Sequence, residues 1–198
     1  MKIAFIGSHG VGKTGLAWTL AGYLKKEGHN VEMLPEAARI IADSGFKINE
    51  NSTEKAQDMI LKKQMDLENN YSLKYEFIVC DRSVIDNFIY LMRVLKNKKL
   101  TKKDLGKKIK LYESKIKKHV KEAPYDYIFY VPVSRYTFNK NDSYRSKNAK
   151  FREEIDILLT EYLNKSNILL SDNKTTFIAL PKKNTRNWNR IVRDNLKL

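Results

Sequence analysis

Gly7-Ser8-His9-Gly10-Val11-Gly12-Lys13-Thr14 sets glycines, a lysine and a hydroxyl in the order that can enclose a row of phosphates. Glycines let successive backbone N–H groups turn inward around the oxygens. A lysine at this spacing reaches the β and γ phosphates, and the hydroxyl after it ligates Mg²⁺. The apolar run Ile3-Ala4-Phe5-Ile6 before the loop reads as a buried strand, and the residues after it carry a helical pattern. A helix starting there adds its positive dipole end to an anion site. Strand, loop and helix together make a nucleoside triphosphate the expected ligand, with ATP and Mg²⁺ as the cofactors.

Two more polar clusters stand directly after apolar runs. Val31-Glu32-Met33-Leu34 leads into Pro35-Glu36-Ala37-Ala38-Arg39, and Phe77-Ile78-Val79-Cys80 leads into Asp81-Arg82-Ser83 followed by Asp86. In an open α/β sheet ligands sit beyond the carboxyl ends of the strands, so the carboxylate after the third run is expected beside the phosphate loop and Glu36 on the acceptor side, away from Lys13 and Thr14. A carboxylate at the end of the third run can hold Mg²⁺ directly or through water, which makes Thr14 and Asp81 the expected metal ligands. Arg82 beside it can neutralise phosphate charge. A plainer reading stays open, in which Asp81 caps the next helix with Arg82 as its surface partner, and Glu36 and Arg39 form an ion pair one turn apart.

The elements that must carry these residues alternate between strand and helix. Gly15 to Lys26 reads as a first helix with Gly28 placed to end it. Ser52-Thr53 can cap a long helix bearing Ala56, Met59, Ile60, Met65 and Leu67 and ending near Tyr75. Tyr127 to Val131 and Thr175 to Leu180 read as the fourth and fifth strands. Between them Phe151 to Leu163 shows Ile155, Leu158, Leu159 and Tyr162 at helical spacing. The pattern predicts an α/β fold, a five-stranded, mostly parallel sheet with helices on both faces, in one domain over residues 1–198. No repeat or linker divides the chain.

The 198 residues carry a formal charge of +15, from 38 Lys and Arg against 23 Asp and Glu. Such an excess can serve a nucleic-acid partner. Most of it is lysine, however, and asparagine is abundant too, the bias that an AT-rich coding sequence produces without selection for binding. In the densest basic run, Lys96 to Lys121, the residues Leu105, Ile109, Tyr112, Ile116 and Val120 recur at helical spacing. The lysines therefore suit the solvated face of an amphipathic helix. No stretch of ~18 apolar residues could span a membrane, and the first apolar run leads straight into the phosphate loop, so a cytoplasmic protein is expected. Cys80 is the one cysteine and sits in an apolar strand pattern, which excludes an intrachain disulfide and favours a packing role.

Taken together, GSHGVGKT, PEAAR, the helix bearing Gln57, Gln64 and Glu68, CDRSVID, and the late Asp142-x-x-Arg145 with Phe151-Arg152 and Asp156 resemble a known group. It is that of the small P-loop kinases around the nicotinamide riboside kinase domain, which takes in AAA-type small kinases. Deoxynucleoside and thymidylate kinases are more distant members of the likeness, which covers roughly residues 1–180. The resemblance implies that Glu36 faces the acceptor hydroxyl as base or orienter, and that Asp81 and Arg82 manage metal and phosphate. It implies a mobile lid over about residues 134–150 that brings Arg145 and Arg152 over the transferring phosphoryl, with Arg135 a weaker candidate. Glu36, Arg39, Gln64, Arg82 and Asp86 become the expected acceptor-binding residues, and Lys13, Glu36, Asp81, Arg82, Arg145 and Arg152 the expected catalytic set. The segment Ser134 to Lys150 is itself polar, with the composition of a loop that opens and closes.

Ser8-His9 occupy positions where many relatives have Gly-Pro, and a kinase needs no histidine there, so His9 is expected as a loop side chain near phosphate. Trp188, between Arg186 and Arg190, suits either packing of the last helix or stacking of a base. Three functions stay open: an ATP-dependent kinase acting on a nucleoside, nucleotide or related small molecule; a kinase of the same fold acting on a hydroxyl of DNA or RNA; and a nucleotide-dependent regulatory module. The acceptor is expected to be small, while nucleic acid and a second copy in a homodimer stay open as partners.

Overall fold

The computed structural model describes residues 1–134, 144, 146, 148–166 and 174–196. Its strands are β1 (Lys2–Ile6), β2 (Val31–Leu34), β3 (Phe77–Asp81), β4 (Tyr127–Tyr130) and β5 (Thr176–Ala179). They form one sheet in the order β2-β3-β1-β4-β5, and every pairing is parallel. The sheet is therefore wholly parallel. β1 and β3 are buried along their full length, as strands covered on both faces must be, which is why both read as unbroken apolar runs.

Helices α1 (Lys13–Lys26) and α7 (Trp188–Asn195) cover one face. Their core joins Leu16, Leu20 and Leu24 to Phe5, Val79 and Phe129 of the sheet, with the Phe5 and Phe129 rings stacked at 5.4 Å. Trp188 is buried in this layer. Its indole N–H donates to Pro181 O at 2.9 Å, and its ring edge lies 4.0 Å from where a Cβ on Gly12 would be. The tryptophan thus packs the last helix under the phosphate loop, the structural one of its two expected roles.

The other face carries α2 (Ala37–Asp43), α3 (Glu54–Ser72), α4 (Val84–Lys96), α5 (Lys102–Glu122) and α6 (Ala149–Lys165). Thr53 caps α3 through a bond from Ala56 N, as the sequence predicts, although the helix stops at Ser72, short of Tyr75. α5 buries Tyr112, Ile116 and Val120 and turns its lysines outward, so the basic run is an amphipathic helix. Lys108 of α5, and Lys98 in the turn before it, both reach Glu54 at the start of α3. α4 is buried on nearly every side, from Val84 through Leu95. The order β2-β3-β1-β4-β5 puts the carboxyl ends of β1, β2 and β3 side by side, and there the polar clusters meet.

Candidate active site

The loop after β1 bends as its glycines permit. Gly7, Gly10 and Gly12 have φ of +145°, +72° and +101°, in the half of backbone space that side chains avoid. Gly7 is required twice over, because a Cβ there would lie 2.5 Å from Val131 O on the neighbouring strand connection. Lys13 opens α1 and folds its ammonium back onto the loop, donating to Gly7 O at 2.9 Å and Ser8 O at 2.6 Å. Burial, and after it the charge of Arg82, holds the Lys13 pKa well below the ordinary lysine value, at about 8. The loop is thus a cradle with a cation inside it.

Thr14 and Asp81 come together across the β1–β3 pairing. The Thr14 hydroxyl donates to Asp81 Oδ2 at 2.5 Å, and Phe5 stands opposite Asp81 in register. Asp81 is not the cap of α4. That position is Ser83, whose hydroxyl accepts from Ile85 N and Asp86 N while Asp86 Oδ1 accepts from Ser83 N at 2.6 Å. Asp81 is left free for other work, and a hydroxyl beside a carboxylate is the paired oxygen set that suits Mg²⁺. No group of three or more His, Cys, Asp or Glu gathers among the described residues.

The second cluster faces this clasp. Glu36, the N-cap of α2, accepts from Arg39 Nε at 2.7 Å and from Arg82 Nε at 3.0 Å. Burial alone would raise its carboxyl, but the charge of Arg82 and hydrogen bonds from both arginines outweigh that and bring it down to about 2. Glu36 is therefore a fixed anion at neutral pH and a poor proton acceptor. Arg82 is held in turn by Asp86, at 3.5 Å, and lies over the Tyr90 ring at 5.0 Å. Its own backbone has φ of +104°, unusual for a residue with a side chain.

A pocket lies between the two clusters. His9, Lys13, Thr14, Asp81, Arg82, Glu36 and Arg39 line it. Gln57, Asn87, Tyr90, Asn49 and Tyr144 line it as well, together with Ile48 and Ile60, and none of these was on the list of expected site residues. Asn87 and Tyr90 follow Asp86 on α4 and could have been found by continuing that motif one turn. Asn49 and Tyr144 carry no sequence signal, and meet because Asn49 Nδ2 donates to Tyr144 O at 2.7 Å and the Tyr144 hydroxyl bonds Asp43. His9 points into the pocket, its ring stacked on Phe151 at 5.0 Å and its Nδ1 3.4 Å from the Tyr90 hydroxyl.

Gln64 and Asp86 sit one layer beneath the pocket wall. Gln64 is buried against Glu68 and the backbone of Arg82, and Asp86 serves the α4 cap and Arg82. Arg152 lies elsewhere, in a second groove at the ends of β4 and β5, with Val133, Lys182, Asn184 and Arg186. Arg135, Asp142 and Arg145, with most of the predicted lid, lie outside the described residues.

A family model described as an AAA domain matches residues 2–178, most of the chain. The chain belongs to this AAA-domain family. No curated protein matches it. Among solved structures it is similar to deoxyadenosine kinase from M. mycoides with the products dCMP and dCDP, at 20% identity and a TM-score of 0.66, over 98% of this chain and 97% of that one. The same enzyme with dATP bound gives 17% identity and a TM-score of 0.65 over the whole of both chains. NadR protein in complex with NR gives 20% and 0.63, over 89% of this chain and 45% of that one. The likeness to these structures is one of fold. No helix among the described residues is long and apolar enough to cross a membrane.

Proposed function

We propose that this chain is an ATP- and Mg²⁺-dependent kinase that moves the γ-phosphoryl group to a hydroxyl of a nucleoside, nucleotide or similar small molecule. One observation carries the reading: the Lys13 cradle and the Thr14–Asp81 oxygens border the same pocket as the Glu36–Arg82–Arg39 cluster. Phosphoryl transfer needs little covalent chemistry from the protein and depends on positioning and charge. Lys13 and the loop N–H groups would hold the β and γ phosphates. Thr14 and Asp81 would hold Mg²⁺, which when bound neutralises charge between those phosphates. Arg82, beside Asp81, is placed to neutralise the equatorial oxygens of the group in transit.

On the far side, Glu36 would accept the hydrogen bond of the attacking hydroxyl and so orient it. Its fixed charge suits orientation better than proton abstraction. Gln57, Asn87 and Asn49 offer amides to polar edges, and Ile48, Ile60 and Tyr144 offer apolar faces, a combination that suits a nucleoside. The second groove, with Arg152, Lys182, Asn184 and Arg186, is separate from this pocket and would take the base and ribose of ATP. The likeness to solved deoxyadenosine kinase structures supports the same reading.

Labelled ATP, offered with a panel of nucleosides, nucleotides and oligonucleotides, tests it. Transfer to a small acceptor, lost in a folded Lys13→Ala protein, is the expected result. Transfer at the wild-type rate by Lys13→Ala, or to oligonucleotides alone, would overturn it.

A further inference from the structure

The strained backbone at Arg82 stands on a buried hub that takes no part in the pocket. Glu68 of α3 is fully buried in the middle of the molecule. Its Oε2 accepts from Lys2 Nζ at 2.8 Å and lies 2.9 Å from His119 Nε2. Its Oε1 accepts from the Tyr125 hydroxyl at 2.6 Å and from Gln64 Nε2 at 2.9 Å. With this many partners a buried carboxylate is fully satisfied and rigid. Lys2, set on β1, also donates to Ala123 O at 2.5 Å, so the hub ties α3 to the central strand and to the end of α5.

Both partners on Oε1 reach up to the turn that carries Arg82. The Tyr125 hydroxyl, while donating to Glu68, accepts the backbone N–H of Val84 at 3.1 Å. That N–H opens α4 and would otherwise be an unpaired buried donor. Gln64 Nε2 also lies 3.4 Å from Arg82 O, and its Oε1 is 3.5 Å from Asn87 Nδ2. The peptide groups on either side of Ser83 are thus gripped from below, while Asp86 holds Ser83 and the Arg82 guanidinium from the side. A residue with a side chain keeps φ near +104° only where its surroundings over-determine it.

We propose that Tyr125 and Gln64, anchored on Glu68, are positioning residues: they lock the Arg82 turn in its left-handed conformation and so aim the guanidinium between Glu36 and Asp86. They touch neither the pocket's contents nor the phosphate loop. Their effect on turnover passes wholly through Arg82, and this part of the inference rests on the kinase reading. The aiming of Arg82 does not.

Tyr125→Phe keeps the ring and removes only the hydroxyl, and Gln64→Met keeps length and removes the amide. Two measurements separate positioning from mere stability. In the NMR spectrum of the intact protein, the Arg82 Nε–Hε resonance, assigned with Arg82→Lys, reports the bond to Glu36. It is expected to shift toward the solvent-exposed position or broaden in both variants. Turnover is expected to fall by about tenfold or more at saturating ATP, with ATP affinity unchanged. On an Arg82→Ala background the same substitutions are expected to cause no further loss. An unmoved Arg82 resonance in folded Tyr125→Phe and Gln64→Met would overturn the proposal. So would equal losses of turnover on the two backgrounds. If the wild type transfers phosphate to no acceptor, the kinase reading fails, and the resonance alone decides whether the hub aims Arg82.

Discussion

Lys13 and Glu36 are titratable groups driven far from their ordinary values in one small space, and each carries a consequence. Lys13, held at about 8 by burial and by Arg82, is partly neutral in the free protein above that pH. In the proposed kinase, phosphate oxygens in the loop would restore its charged form, so ATP binding would draw in a proton there. Affinity is expected to fall by up to about tenfold per pH unit above 8, and calorimetry in two buffers of different ionisation enthalpy at about pH 8.5 should register proton uptake. Affinity that is flat across this range with no uptake would show Lys13 charged throughout. The Glu36 pKa is lowered as well, which for a carboxyl favours the charged form. Burial raises its carboxyl, Arg82 and Arg39 more than reverse this, and it stays ionised down to about 2. The stability its ion pairs give is complete above the ordinary glutamate value of 4.5 and is lost as pH falls toward 2. An acid limb in the rate profile near pH 4 to 5 is therefore not expected from Glu36. Glu36→Gln keeps the shape and removes the anion, and should lower turnover by about 10²-fold with ATP affinity nearly unchanged. Weakened ATP binding with normal turnover at saturation would return Glu36 to a plain ion pair with Arg39.

At the scale of elements, the turn from β3 into α4 divides two tasks among adjacent residues. Asp81 ends the strand and meets Thr14, whereas Ser83 and Asp86 close a reciprocal cap on the helix. The division follows from geometry, since a cap must stand next to the first helical turn, whereas Asp81 at the strand end stands next to the phosphate loop, where the proposed kinase would need its metal ligand. Asp81→Asn should raise the Mg²⁺ concentration needed for half-maximal rate while moving the melting temperature little. Ser83→Ala should do the reverse, removing about 1 kcal/mol, or roughly 2–4 °C in a chain of this size, with Mg²⁺ dependence kept. Thermal melts beside Mg²⁺ titrations of the two variants decide the matter. A large melting shift in Asp81→Asn with unchanged Mg²⁺ dependence would return Asp81 to a structural role. α4 itself was not assigned as an element from the sequence, although Asp86, Asn87, Arg93 and Lys96 fall on one side of it and the apolar residues on the other. Its apolar side is broad because the helix packs on α3, α5 and α6.

Over the whole molecule, the charge of +15 is spread on a surface whose densest row is the outer face of α5, away from the pocket lining. A small acceptor in an enclosed pocket does not depend on that surface. Turnover with a nucleoside should change by less than about threefold between 50 and 200 mM salt, whereas an acceptor bound through six to ten phosphate contacts would lose about 10³-fold or more in affinity. Steady-state rates across a salt series distinguish the two. The amino-acid sequence by itself determined the phosphate loop, the alternation that makes a parallel sheet, and the two polar clusters after β2 and β3. Each of these is written in neighbouring residues: glycine at positive φ, apolar runs of strand length, and charge at a strand end. Tertiary structure alone decided that Glu36 bonds Arg82 across 46 positions and that Asn49 meets Tyr144. It likewise decided that Gln64 serves a buried hub while Gln57, two turns earlier on the same helix, lines the pocket. Both glutamines face inward on α3, and local pattern cannot tell which inward position meets the core and which the cavity. That difference arises only where α3 is laid across the sheet, so it belongs to the packing of elements and not to the order of residues.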